Sequence, residues 1–456
     1  MAQEVVETTQ QFVMNSTFWT ATIIFLLAYI IIVSEKIHKT IVALVGASLM
    51  IVLKILQQRE AFHLEEFGVD WNVIFLLISM MIIVNLMRPT GFFEYIAIKS
   101  AKLGRGEPMR IMVIFAVVTA VLSATLDNVT TVLLLAPVTL LIADALEVDA
   151  IPFLIAEALA SNIGGTATLI GDPPNIMIAS KARLDFMDFI YNLTPAIIVI
   201  MVVFLFVLKL IFGKKLHVKP ELKQRVMEMN EREAIKDPLM LKKSLFVLGI
   251  VVIGFVLHGK FNYEPATVAL FGAGLLLLLS GTKEPHHVLA EVEWPTIFFF
   301  MRLFIIIGGV VKVGLIKWMS LKVLAITHDN MFATNMLIMW FSAFASAFVD
   351  NIPYVATMNP LLIDMAKVIW PHLQGTNLLH NPELMPLWWS LSLGACLGGN
   401  GTAIGASANV IVVGMAERAG KKISFLKFMA YGMPVMILTV LISTIYVWLR
   451  YYVLKI

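Results

Sequence analysis

Asn162-Ile163-Gly164-Gly165-Thr166-Ala167-Thr168-Leu169-Ile170-Gly171-Asp172-Pro173-Pro174-Asn175 interrupts a run that is otherwise apolar from Ile151 to Ala179. A glycine pair and a Pro-Pro step break a helix. Inside a bilayer a broken backbone is tolerated only where protein buries it or where it lines a wet cavity. The second half of the chain carries a matching stretch, Gly398-Gly399-Asn400-Gly401-Thr402, followed by Gly405, Ser407 and Asn409. Gly164, Gly165, Thr168, Gly171 and Asn175 meet Gly398, Gly399, Thr402, Gly405 and Asn409 at one constant offset. Paired interruptions in corresponding places of two halves are the sequence mark of a transporter binding site.

Composition places these breaks in a membrane. Of 456 residues, 59% are hydrophobic and 14% charged, and the mean hydropathy is +0.87. Soluble domains average about 45–50% apolar and about 25% charged. Runs long enough to span a bilayer recur throughout, among them Thr17–Ser34, Val73–Leu86, Ala196–Ile211, Thr267–Ser280 and Val435–Val447. A net charge of +3 offers no basic surface for nucleic acid. The single cysteine, Cys396, rules out an internal disulfide or a cysteine-built zinc site. Glu4 and Glu7 stand where a secretory signal would be positive, so the first apolar segment is expected to remain as a span.

The repeat extends beyond the breaks. Val69-Asp70-Trp71 matches Val292-Glu293-Trp294, and Gly91 matches Gly314. Ser123-Ala124 matches Ser346-Ala347, Asp127-Asn128 matches Asp350-Asn351, and Pro137 matches Pro360, all at a second constant offset. Between the halves lies a basic stretch with Lys214, Lys215, Lys219, Lys223, Arg225, Arg232, Lys236, Lys242 and Lys243. It reads as a cytoplasmic linker, residues 214–243, between a first half, 1–213, and a second, 244–456.

The expected fold is an all-α polytopic membrane protein of two inverted repeats. Each repeat has about five spans, a re-entrant helical hairpin and a broken helix. The hairpins fall near 109–144 and 332–368, the broken helices near 150–180 and 388–415. Spans in the first half are expected near 17–34, 39–55, 71–87 and 194–212, with an amphipathic connector at 90–105. An odd number of crossings per half turns the second half upside down. Hairpins that cross fully would instead give twelve spans and parallel halves. In the five-crossing arrangement with the linker inside, the acidic 59–70 loop falls outside, and Lys312, Lys317 and Lys322 fit the charge rule poorly.

Four polar islands carry the candidate chemistry. At the hairpin tips they are Asp127, Asn128 and Thr130, and Asp350 with Asn351. In the breaks they are Asn162, Gly164, Gly165, Thr166, Thr168, Asp172 and Asn175, and Gly398, Gly399, Asn400, Thr402, Ser407 and Asn409. Freed amides and half-helix ends there suit an ion or a small polar solute. The plain alternative is helix capping, at which Asp and Asn are good. Glu157 and Arg302 also stand in apolar runs and are weaker candidates. The sequence contains no enzyme motif and implies no cofactor.

Asp127-Asn128-Val129-Thr130-Thr131 with Pro137, the break ending in Gly171-Asp172-Pro173-Pro174-Asn175, Asp350-Asn351-Ile352-Pro353 and Gly398–Asn409 resemble the arsenite permease and sodium/proton antiporter group (ArsB/NhaD). That group includes the melanosomal P protein and belongs to the ion transporter superfamily. The resemblance covers nearly the whole chain. It implies scaffold and transport domains, an elevator-type motion and frequent dimers. The favoured expectation is export of arsenite or antimonite through the inner (cytoplasmic) membrane, coupled to protons or membrane potential or assisted by a soluble ATPase subunit. Sodium/proton antiport through Asp127, Asp172 and Asp350 is the alternative, and carboxylate transport a third. The partners expected are the lipid bilayer and a small inorganic solute or ion.

Overall fold

The computed structural model describes residues 14–455, apart from 35, 64–66, 214, 215, 217, 283 and 329. Glu4, Glu7, Lys214 and Lys215, on which the sequence reading drew, lie outside the described residues. The described chain is helical. The first half builds α1 (Ser16–Ser34), α2 (Lys39–Val52), α3 (Trp71–Met87), α4 (Phe92–Leu103), α5 (Pro108–Thr125), α6 (Asn128–Ala145), α7 (Ile151–Gly165), α8 (Pro173–Ala182) and α9 (Thr194–Phe212). The second half repeats that order. It builds α10 (Pro238–Phe261), α11 (Pro265–Ser280), α12 (Trp294–Lys312), α13 (Leu315–Thr327), α14 (Met331–Phe348), α15 (Asn351–Ile369), α16 (Met385–Gly398), α17 (Ser407–Arg418) and α18 (Phe425–Val447). The expected spans, hairpin arms and breaks fall on these helices to within a few residues.

Local chemistry sets the helix starts. Asp70 caps α3 by accepting from Val73 N at 3.4 Å, and Asp237 caps α10 from Met240 N at 2.9 Å. Proline opens α5, α8, α10 and α11, where its missing N–H costs nothing. Because α10 begins at Pro238, Lys242 and Lys243 of the basic stretch belong to its first turns.

Among the described residues nine helices are long and apolar enough to cross a membrane, and α2, α7 and α11 are shorter apolar helices. On α9, Ile198, Val202, Phe206 and Leu210 are all more than half exposed along one face. Water does not face such a stripe, whereas lipid does. The chain is therefore a multi-pass membrane protein.

Two packed groups of helices result. In one, α3 packs on α11 as α2 packs on α12. In the other, α5 packs on α7 as α14 packs on α16, and α6 packs on α17 as α8 packs on α15. Exchanging the halves maps each contact onto its partner. The last spans, α9 and α18, pack on α7 and α16 respectively and on each other.

Charges outside the spans tie the loops. Lys223 and Arg225, in the linker helix Pro220–Glu228, pair with Glu107 (2.5 Å) and Glu147 (3.0 Å) at the two roots of the first hairpin. Lys102 pairs with Glu231 at 2.7 Å. Lys312, which fitted the charge rule poorly, pairs with Glu60 of the acidic loop at 2.6 Å. The Lys312 ammonium and the Gln57 N–H hold the Glu60 carboxyl below the usual carboxylate range.

Candidate functional site

The hairpin arms turn within two residues, Leu126-Asp127 and Val349-Asp350. Each tip aspartate caps its second arm. Asp127 Oδ1 accepts from Thr130 N at 2.8 Å, and Asp350 Oδ1 from Ile352 N at 3.1 Å. The capping reading therefore holds for both residues, and it places the next residue, Asn128 or Asn351, in the first turn with its side chain buried.

Each broken helix then docks its tip. Thr168 Oγ1 donates to Ala124 O at 2.6 Å, and Thr402 Oγ1 donates to Ala347 O, the matching residue of the other half. Ser123 and Ser346 donate across to the carbonyls of Ser161 (2.7 Å) and Ala395 (2.6 Å). The glycines serve this closeness. A Cβ on Gly164 would lie 2.1 Å from Ala120 O, and one on Gly398 2.6 Å from Ala343 O. Within the breaks, Gly165 approaches Gly171, and Gly399 approaches Gly405. The glycines thus bring α7 and α16 against the hairpins, which is a packing role. Thr166 closes its own helix through Asn162 O at 2.7 Å. Thr130 contributes its backbone N–H to the Asp127 cap.

Asparagines bridge the two breaks. Asn175 donates to the carbonyls of Thr166 (3.1 Å) and Thr168 (2.8 Å), and Asn409 to those of Gly399 (2.8 Å) and Thr402 (2.9 Å). Asn162 Nδ2 reaches across the halves to Asn400 Oδ1 and Asn409 Oδ1, both at 3.0 Å. Ser392 Oγ donates to Asn175 Oδ1 at 2.6 Å, and Cys396 Sγ lies 3.5 Å from the same oxygen.

Asp172 stands where the four segments meet. It occupies the N-cap position of α8 yet makes no side-chain cap bond. Its carboxylate instead accepts from both tips. Asn128 Nδ2 donates to Oδ1 at 3.1 Å, and Asn351 Nδ2 to Oδ1 and Oδ2 at 3.3 and 3.2 Å. Asn128 Nδ2 also donates to Asn162 Oδ1 at 3.1 Å. Asp172 is fully buried, and the charges of Asp350 and Asp127 are close enough to act on it. Asn128 Oδ1 beside it, Asn400 Nδ2 in the second break and Thr131 Oγ1 on α6 are buried without a hydrogen-bond partner. Unsatisfied buried groups are uncommon and mark places where a ligand can bind.

The remaining candidates lie apart or at the edge. Ser407 Oγ donates to Asp350 Oδ2 at 3.1 Å, and Lys39 Nζ reaches the same oxygen at 2.6 Å. Lys39 was not among the candidate residues read from the sequence. Its counterpart at the offset of the hairpin matches is Asn262, so the repeat gave no signal for it. Glu157 is buried on α7, hydrogen-bonded by the Thr139 hydroxyl, and its Oε2 is unpartnered. Arg302 has a buried Nε without a partner. A cavity of about 990 Å³ opens between the two helix groups and reaches Leu169 in the first break. Asn359, two turns along α15 from Asn351, lines it with both amide atoms unpartnered.

Known proteins share this chain's sequence along its length. An uncharacterized transporter of Mycobacterium tuberculosis is 46% identical over 434 residues, covering 95% of this chain and 99% of the relative. A 46 kDa membrane protein of Mycobacterium leprae is 43% identical over 432 residues, covering 95% and 98%. The human P protein is 32% identical over 508 residues, covering 93% of this chain and 59% of its own length. The P protein is one member of the wider group that the resemblance had named. Residues 29–394 match the family model described as a citrate transporter. They include both hairpins and the first break, and the chain belongs to the CitMHS family of citrate transporters.

Proposed function

We propose that this transporter is a secondary active carrier of the inner (cytoplasmic) membrane that exchanges a small cation, sodium first, for protons. The supporting observation is the charge of the convergent site. Three carboxylates, Asp127, Asp172 and Asp350, gather at the tips and the first break, while the Lys39 ammonium reaches one of them, Asp350. An excess of fixed negative charge attracts cations and repels anions. Asp172 is the proposed exchange point, because the amides of both tips close on it and a proton or cation there would loosen or tighten both together. The unpartnered Asn128 Oδ1 is an acceptor free for such an ion.

The reading extends to motion. A broken helix has its interruption at mid-membrane, and both tips end at that interruption, so the hairpins are read as re-entrant and the halves as inverted. The hairpin and broken-helix group is then the transport domain, moving as an elevator past the scaffold of α1–α3 and α10–α12. The cavity lined by Asn359 is the route to the site.

Arsenite export is the second reading, favoured by one feature. The unpartnered Thr131 Oγ1 and Asn400 Nδ2 are neutral hydrogen-bonding groups, suited to an uncharged trihydroxide. Citrate, for which the family is named, would bring carboxylates against Asp172 and would need an accompanying cation. Purified protein in vesicles, offered labelled sodium, arsenite or citrate with an entrapped pH dye, separates the three. Sodium uptake that alkalinises the lumen, and sodium efflux that acidifies it, support the first. Arsenite or citrate flux indifferent to sodium rejects it.

A further inference from the structure

Lys39 opens α2 in the α1–α3 layer, yet its ammonium lies 2.6 Å from Asp350 Oδ2 and 3.0 Å from Ser407 Oγ. The same ammonium stands 5.0 Å from the centroid of the Phe299 ring on α12. Asp350 divides its work. One oxygen caps α15 through Ile352 N, and the other takes the ammonium and the Ser407 hydroxyl. Capping needs only one oxygen. The second, with Ser407 Oγ beside it, forms a small oxygen-lined pocket between a hairpin tip and a broken helix. A positive group delivered from the opposite layer fills that pocket.

We propose that Lys39 is a tethered competitor for a monovalent-cation site formed by Asp350 and Ser407. A proton or a free cation binds by displacing the lysine, and the displacement unlatches the second hairpin tip from the scaffold. The proposal deepens the cation-exchange reading and rests on it only for the identity of the free cation. Elementary electrostatics supports it. An ammonium and a sodium ion carry the same charge and take the same carboxylate and hydroxyl oxygens, so they cannot occupy one pocket together. A protonated Asp350 no longer holds the ammonium by charge. The other groups near the latch are Lys36 and His38 on its own segment, Glu293 at the start of α12, and Asp127 and Asp172 opposite. Glu293 lies within electrostatic reach of both Lys39 and Asp127, so it offers the displaced ammonium a second carboxylate. Tyr29 on α1 holds the Pro353 carbonyl at 2.6 Å and stays in place when Lys39 leaves. Release is therefore confined to the tip itself, 349–352.

Hydrogen exchange of peptides covering 349–352 tests the latch in the purified full chain without any cargo. Wild type is compared with Lys39→Met, Lys39→Arg and Asp350→Asn, each in sodium chloride and in choline chloride of equal ionic strength, over a range of pH. In choline near neutral pH, Lys39→Met is expected to exchange roughly fivefold faster than wild type, the scale of losing one ion pair that is partly shielded from solvent. Lys39→Arg restores protection. Sodium or acid removes protection from wild type but leaves Lys39→Met unchanged. Wild-type protection in a folded Lys39→Met, or a wild-type tip indifferent to both sodium and acid, overturns the proposal. A tip that opens with acid but not with sodium retains the latch and rejects sodium as its competitor. Asp350→Asn keeps the cap and removes only the charge, so it must behave as Lys39→Met does.

Discussion

Replacing Asp172 separates a coupling carboxylate from a structural one. In Asp172→Asn the remaining side-chain oxygen can take the place of Oδ1 and keep the amides of Asn128 (3.1 Å) and Asn351 (3.3 Å). The new NH₂ faces Asn351 Nδ2 where the 3.2 Å bond was, so one charge-assisted bond is lost. That bond is worth about 1.5–3 kcal/mol. In Asp172→Ala the buried Asn351 amide loses both acceptor oxygens, at a cost of about 1–3 kcal/mol for a stranded donor. The docking of the second tip then weakens by roughly 5- to 150-fold. The functional consequence differs in kind. One proton moving with the field contributes about 2.3 kcal/mol per 100 mV, roughly a fiftyfold gradient. Asp172→Asn cannot carry that proton. The assay is labelled-sodium flux in proteoliposomes at varied pH, with an imposed potential and with detergent-state melting as the control for folding. Asp172→Asn is expected to melt within several degrees of wild type and to lose the pH dependence of flux. A folded Asp172→Asn whose flux keeps the wild-type rate and pH profile would refute the assignment of exchange to this carboxylate.

The close approach of α7 to α5 predicts that Gly164→Ala is strongly destabilised, since its Cβ would meet Ala120 O at 2.1 Å. The expected loss exceeds the about 1–3 kcal/mol typical of overpacking. Melting in detergent measures it against Gly249→Ala, where nothing lies within 4 Å, and equal melting of the two would contradict the packing role. Cys396→Ser is expected to keep most transport, because the hydroxyl can serve Asn175 Oδ1 as the thiol does at 3.5 Å; complete loss in a folded variant would make the thiol a cargo ligand. The Glu60–Lys312 pair predicts a pH-dependent contribution. A carboxyl held below its usual range stabilises the fold above that range, and the stability is lost as pH falls through the lowered value. The melting difference between wild type and Lys312→Met is expected to be small, about 1 kcal/mol or less for a surface pair. It should vanish on acidification, and a difference that grows in acid would reverse the sign of the argument.

Much of this arrangement was legible because the signals were backbone signals. Gly164-Gly165, Pro173-Pro174 and their partners must break helices wherever they stand, and a two-residue turn such as Leu126-Asp127 between apolar arms must make a hairpin. Repetition then confirmed each by a second instance. Side-chain destinations were less legible. Asp127 and Asp172 are the same residue type in similar polar islands, yet one caps a helix and the other receives both tips. The difference lies in which neighbours the fold brings across, Asn128 and Asn351, and no local spacing encodes that. Lys39 was hidden for the opposite reason. A lysine at the start of a short helix reads as a snorkelling loop charge, and only the docking of a distant tip shows that it points into the protein.

The departures from the repeat carry the final argument. The residues that join each break to its own hairpin are matched, Thr168 with Thr402 and Ser123 with Ser346. Those at the centre match only in part, since Asn128 corresponds to Asn351 and Asn175 to Asn409 while their neighbours differ. Asp172 corresponds to Ala406 in the other half, Asn162 to Cys396, Thr166 to Asn400, and Lys39 to Asn262. A framework that must present one site alternately to two sides gains from equivalent hinges and docking bonds in both halves, because its two end states are then close in energy. A site that binds one small ion gains nothing from duplication. Two facing buried aspartates would repel, and one would have to be neutralised at a cost of several kcal/mol. Replacing Ala406 by Asp in an otherwise intact chain recreates that repulsion. Ala406→Asp is expected to impair docking of the first tip more than Ala406→Asn does, read as faster hydrogen exchange of 125–128 at neutral pH than at acid pH after correction for intrinsic rates. Equal protection in the two variants at all pH would mean that position 406 does not face the charged centre, and that the asymmetry of the halves has another cause.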